Sequence, residues 1–181
     1  KSIEICVHLD LGRKFIQKAN DQESIGRLLL NAGEKSANTA AFESAFKFLS
    51  LGLEVLDYKL SISEKFQINL NLLEYTFLIE DKEKRHLIEP RAFALSQTKA
   101  ERLLVYEIIV RCLPLNNLPQ KAIEATRKGL LEVGIRVPLK ASIPQVIFQL
   151  IKMRIKLPPK KFGELSKLPA PEDPYVLALF K

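Results

Sequence analysis

Small residues recur in this chain at a spacing that admits few folds. Gly33 is followed at the distance of a helical hairpin by Ala45, Leu49 and Gly52. Ala122, Thr126 and Gly129 repeat the last three 77 residues later. Two helices approach closely only where side chains are small, so each set marks a crossing of one helix over another. Half of that interval, ~38 residues, is a little more than one helix-turn-helix repeat unit, so a third and more degenerate pair is expected between them. The pattern predicts stacked helical hairpins, an architecture that holds partners more often than it performs chemistry.

Caps and prolines punctuate the remainder. Ile3, Ile5, Val7, Leu9, Leu11, Phe15 and Ile16 read as a first apolar helix ending near Ala19. Asn20 and Glu23 predict a capping box for the second, in which Ile25, Leu28, Leu29 and Ala32 keep helical period. After Asn38 and Thr39, a third helix carries Phe42, Ala45, Phe46, Leu49, Leu53 and Leu56. Ser61 with Glu64 and Thr98 with Glu101 repeat the capping signature. Glu80 to Arg85 mark a solvated turn, and Pro90 predicts a kink or early stop in the return helix. Pro114 ends one helix, Pro119 fits the first turn of the next, and Gly134 fits its C-cap. Ser142 and Gln145 open a helix with Val146, Ile147, Leu150, Ile151 and Ile155 as its apolar set. Pro158, Pro159, Pro169, Pro171 and Pro174 make an extended connector, and Asp173 and Pro174 cap a last short helix. The chain therefore reads as all-α, with about nine helices and no strand. Residues 1–157 form a TPR-like stack of helical hairpins (an α-α superhelix), and residues 158–181 a Pro-rich connector and short capping helix.

Composition narrows the functional classes. No apolar stretch reaches the roughly 20 residues needed to span a bilayer, and no basic-then-apolar leader opens the chain. Integral membrane insertion is therefore not expected, and a cytoplasmic setting is. The first residue is Lys1 rather than Met, as in a piece of a longer protein. Cys6 and Cys112 sit in apolar patterns and read as small buried thiols in a reducing compartment. A zinc site from Cys6, His8, His86 and Cys112 lacks the short ligand spacings such sites use. No Gly-rich phosphate loop occurs, so no nucleotide cofactor is expected. His8 reads as a hydrogen-bonded core edge and His86 as a solvated helix residue, with nothing local to activate Cys112 beside it. The pairs Glu80-Asp81 and Glu172-Asp173 fall at turn or cap positions, where helix dipoles explain them. The expectation is no catalytic residue, no metal and no cofactor.

Charge is local. From Arg136 to Lys167 there are eight basic residues and one acid, Glu164, a net charge equal to the +7 of the whole chain. The helix around Lys152, Arg154 and Lys156, with Lys160 and Lys161 beyond it, is a candidate basic patch for an acidic domain, an anionic membrane surface or nucleic acid. Its few aromatics, Phe148 and Phe162, weigh against nucleic acid. A packed helix with snorkelling lysines is the plain alternative. On the other side, aligning Gly33 with Val110 turns Arg27, Glu34, Glu107 and Arg111 toward an inner groove suited to a peptide segment. The plain alternative there is a solvated face, with an i,i+4 Glu107–Arg111 pair worth a few tenths of a kcal/mol.

An ordered set of residues carries a family resemblance over nearly the whole chain. It comprises Leu29 to Ser36, Ala41, Ala45, Phe48-Leu49, Gly52-Leu53 and Leu56, then Glu74, Phe77-Leu78 and Val105-Tyr106-Glu107. It continues through Ala122-Ile123, Gly129-Leu130-Leu131, Gly134-Ile135 and Pro138 to Leu168-Pro169, Asp173-Pro174 and Ala178. In these the chain resembles the TPR-like helical region that follows the predicted AAA/STAND ATPase module in multidomain serine/threonine kinase or sensor histidine kinase signalling proteins. The resemblance adds Glu74 to the groove. It implies a non-catalytic interaction and relay region, with peptide segments or neighbouring domains of the same chain as protein partners. A free-standing TPR-like adaptor, or a basic module for nucleic acid or membrane, are the other functions compatible with the residues. Two departures stand out: Glu80 where a Gly often turns the middle hairpin, and Arg85 in place of a small packing residue. Both predict a middle pair that splays or bends.

Overall fold

A computed structural model describes residues 19–138 and 142–156. They form seven α-helices: α1 Ala19–Asn38, α2 Phe42–Leu56, α3 Ile62–Leu78, α4 Lys82–Leu95, α5 Lys99–Cys112, α6 Pro119–Glu132 and α7 Ile143–Lys156, with a 3-10 turn at Pro114–Asn116. No strand occurs among the described residues. The two further helices expected at the chain ends, and the connector at 158–181, lie outside the described residues.

One turn geometry is used in each hairpin. Ala40, Glu80 and Asn117 all have φ near +57°. Behind each, a backbone N–H reaches back five residues: Ala41 to the Ser36 carbonyl at 2.9 Å, Asp81 to Thr76 at 3.0 Å, Leu118 to Leu113 at 3.1 Å. Gly134, with φ +81°, closes α6 the same way through Ile135 and Leu130. This left-handed turn satisfies the orphan carbonyls at a helix end and reverses the chain within a few residues. It also fixes the register of the return helices. Gly52, Ala92 and Gly129 occupy equivalent places in α2, α4 and α6, and all are buried. Replacing Ala40 or Glu80 by Gly removes a left-handed penalty of ~1–2 kcal/mol against ~0.5–1 kcal/mol of added unfolded-state freedom. Each variant is expected to be more stable by about 0.5 kcal/mol in urea denaturation. A lowered urea midpoint contradicts a strained turn.

Local capping follows the sequence at two sites. Ser61 Oγ accepts from Glu64 N at 3.2 Å while Ser61 N donates to Glu64 Oε2 at 2.8 Å. Thr98 and Glu101 reciprocate in the same manner. The helix expected to start behind Asn20 already includes Ala19 and Asn20. Glu23 pairs with Arg27 at 3.2 Å and with Lys59, in the turn after α2. Pro90 does not stop α4, which continues to Leu95. Ile88 and Ala92, buried on either side of it, hold the helix against its neighbours despite the lost backbone donor.

Burial is shared along a row. α1 packs on α2, α2 on α3, α3 on α4 and α5, and α5 on α6. The principal core joins Leu49 of α2, Phe66, Leu70, Leu73 and Phe77 of α3, Ile88 and Ala92 of α4, Val105 and Ile109 of α5, and Ala122 and Ala125 of α6. The α1–α2 seam is the most extensive of these contacts. It carries its own cluster, Leu29, Ala32 and Phe48.

Candidate functional site: a charged groove and a basic cleft

Three of the five groove residues come together. Arg111 of α5 pairs with Glu74 of α3 at 3.1 Å, and its Nε lies 4.0 Å from Glu107 one turn earlier. Glu34 approaches from α1. Burial first, then the Glu74 and Glu34 carboxylates, push the Tyr75 hydroxyl above its ordinary value. Tyr75 also rests on Phe42, with ring centroids 5.6 Å apart. Helices α3 and α5 thus each bring a carboxylate to Arg111. Arg27 stands two turns before Glu34 on α1, ~10 Å away along the axis, bound to Glu23 at 3.2 Å. It faces the first turn of α3, where Glu64 is held low mainly by its hydrogen bonds to Ser61 and only last by Arg27. The side chain of Arg111 is 53 % exposed, so its pairs are solvated and contribute little to folding. They leave charged groups available to a partner.

Part of the candidate basic patch lies on α7. Lys152 and Arg154 are exposed on α7 and Lys156 is its last residue; Lys160 and Lys161 lie outside the described residues. Every large apolar side chain of α7 from Ile143 to Ile155 is exposed as well. At 100° per residue, Lys152 shares a stripe with Gln145 and Gln149, whereas Arg154 falls among Ile143, Ile147 and Leu150. The apolar side therefore carries a cation of its own. Between α7 and α6 lies an open depression of about 800 Å³, with Arg127, Leu131 and Ile135 on one wall and Val146 and Leu150 on the other. Arg127 Nε donates to the Val137 carbonyl at 3.0 Å and pins the α6–α7 connection across it.

The remaining chemistry-bearing residues have structural settings. Burial pushes the Cys112 thiol above its ordinary range, which works against a nucleophilic thiolate. His86 is exposed on α4. Cys6 and His8 lie outside the described residues, among which no group of three or more His, Cys, Asp or Glu could hold a metal ion. Asp81 caps α4 by accepting from Lys84 N at 2.9 Å and pairs with the Lys84 ammonium at 2.7 Å, the interaction that chiefly holds its carboxyl low. No described helix is long and apolar enough to cross a membrane.

A second cleft, not anticipated from sequence, opens between α4 and α6 over α5, with a volume of about 450 Å³. Arg85 lines it, stacked on Phe77 with its guanidinium carbon 3.8 Å from the ring centroid. The repeat register held the signal: the return helices place Ala45, Arg85 and Ala122 at one position, and only the middle residue is charged. No protein-family model matches this chain, nor does any curated protein or solved structure.

Proposed function

We propose that this chain is a non-catalytic, TPR-like interaction and relay region of a multidomain signal-transduction ATPase or kinase, working in the cytoplasm. The observation that carries the interaction role is the turn repeated behind Ala40, Glu80 and Asn117. It generates equivalent helices whose core is spread along a row, leaving extended faces rather than an enclosed reaction site. On one such face Glu34, Glu74, Glu107 and Arg111 present solvated charges of both signs, suited to side-chain and backbone groups of a peptide segment. The placement beside ATPase and kinase domains rests on the resemblance of Leu29 to Ser36 and the residues that follow them. Removing residues 19–156 from the parent protein is expected to uncouple nucleotide hydrolysis from kinase output while each activity persists. Unchanged coupling rejects the relay role.

The exposed apolar and basic α7 favours a second reading, a module that rests on an anionic membrane surface or nucleic acid. It requires binding that falls steeply with added salt. Reversal of charge at Lys152, Arg154 and Lys156 without effect on either ligand removes it. A free-standing adaptor that binds its peptide in the groove differs from the first reading only in lacking flanking domains.

A further inference from the structure

Arg85 breaks a rule that its own repeat sets. The fourth residue of a return helix is alanine in the first and third hairpins, and both Ala45 and Ala122 are buried against the neighbouring helix. Arg85 instead lays its guanidinium over Phe77 and donates through Nη2 to the Thr76 carbonyl at 3.3 Å and to Asn116 Oδ1 at 3.1 Å. Its Nε is enclosed without an acceptor. Among the described residues no carboxylate comes within ion-pair distance of it. Desolvation presses its basicity below the usual value, and Glu89, Asp81 and Glu80 act on it only through space. A partly buried cation served only by neutral acceptors carries a desolvation cost that the alanines of the other two hairpins do not. Such a local conflict is what a binding position produces.

The surroundings indicate what would relieve it. Lys82 and His86 of α4 stand on one rim of the cleft, Lys121 and Lys128 of α6 on the other. Glu89 and Glu124 are also in its walls, so the field suits one negative charge better than two. Tyr106, Ile109 and Leu113 make an apolar floor. We propose that this cleft binds a carboxylate side chain carried on an apolar segment of a protein partner, Arg85 taking the carboxylate and the floor taking the adjoining apolar side chain. The proposal rests on the reading of the chain as a protein-binding repeat. It uses a different surface from the Glu74–Arg111 groove.

The test titrates the full 181-residue chain, labelled with 15N, with acetyl-Leu-Glu-Leu-amide, with its Gln counterpart, and with inorganic phosphate. The glutamyl peptide is expected to move the Arg85 Nε–Hε resonance and the backbone amides of Tyr106 and Ala125. It should bind about tenfold more tightly than either other probe. Arg85→Gln removes the charge and leaves a shorter, neutral amide in its place, and is expected to abolish the preference for Glu over Gln. The exposed-rim variant Lys121→Glu/Lys128→Glu leaves the core untouched and should weaken the glutamyl peptide severalfold. Equal affinity for the Glu and Gln peptides, phosphate binding as tight as the glutamyl peptide, or unchanged affinity in the rim variant overturns the proposal. Partner capture lost in Glu74→Arg/Glu107→Arg but kept in Arg85→Gln overturns it too, and leaves the interaction role of the groove standing.

Discussion

Gly52→Val is expected to cost about 2 kcal/mol of folding stability, although it replaces a helix glycine with a residue of better helical propensity. A Cβ at Gly52 would lie 2.7 Å from Leu30 Cδ2 and 3.2 Å from the Gly26 carbonyl oxygen. The leucine can rotate away; the carbonyl belongs to the α1 backbone and cannot. Gly33 sits under the same constraint, with Leu49 Cδ2 at 2.6 Å and the Leu49 backbone nitrogen at 3.2 Å. The α1–α2 seam is thus built on near backbone contact, and two branched methyl groups must pry it open. Urea denaturation followed by far-UV circular dichroism reads the loss. Gly129 holds the same register in the third hairpin but meets only Tyr106, at 3.1 Å and beyond, with no contact as short as the 2.7 and 2.9 Å to Leu30 at Gly52, so Gly129→Val should cost less. A gain in stability for Gly52→Val, or a larger loss at Gly129 than at Gly52, contradicts this account of the seam.

Those glycines were legible because their reason is local to a repeat: the same spacing appears twice in the sequence. The capping boxes at Ser61 and Thr98 were legible for a similar reason, since both partners lie within one turn. Where the deciding partner is distant, the sequence pattern misleads. Asn20 and Glu23 have the spacing of a cap, yet the helix already includes Asn20 and Glu23 pairs with Lys59, 36 residues away. Pro90 has the look of a helix end, yet burial of Ile88 and Ala92 by other helices carries α4 past it. In the groove, Glu107 and Arg111 follow from helical spacing alone, but the shorter pair is Arg111 with Glu74 on another helix. For Arg85, the misfit with its repeat was visible. Its contacts were not, because Asn116 and the cleft wall of α6 arrive from a later hairpin.

Phe77→Ala should be the most damaging single change among these, at about 4 kcal/mol. Phe77 is buried at the last turn of α3, the helix that packs against α2, α4 and α5. Its ring supports the Arg85 guanidinium, and its carbonyl accepts from Glu80 N at 3.2 Å and Asn116 Nδ2 at 3.4 Å. The core of the second hairpin and the turn of the third therefore converge on one residue. Truncation leaves a cavity in the core, and it strips the half-buried cation of the ring face worth ~0.5–2 kcal/mol. Phe77→Leu separates the two effects. It retains most of the volume and loses the π-face, so a cost of about 1.5 kcal/mol is expected. In a double-mutant cycle, Phe77→Leu and Arg85→Gln should couple by about 1 kcal/mol, because removing the ring no longer matters once the charge is gone. Strict additivity would mean that the stack contributes nothing, and that Arg85 is held at the cleft by Thr76 and Asn116 alone.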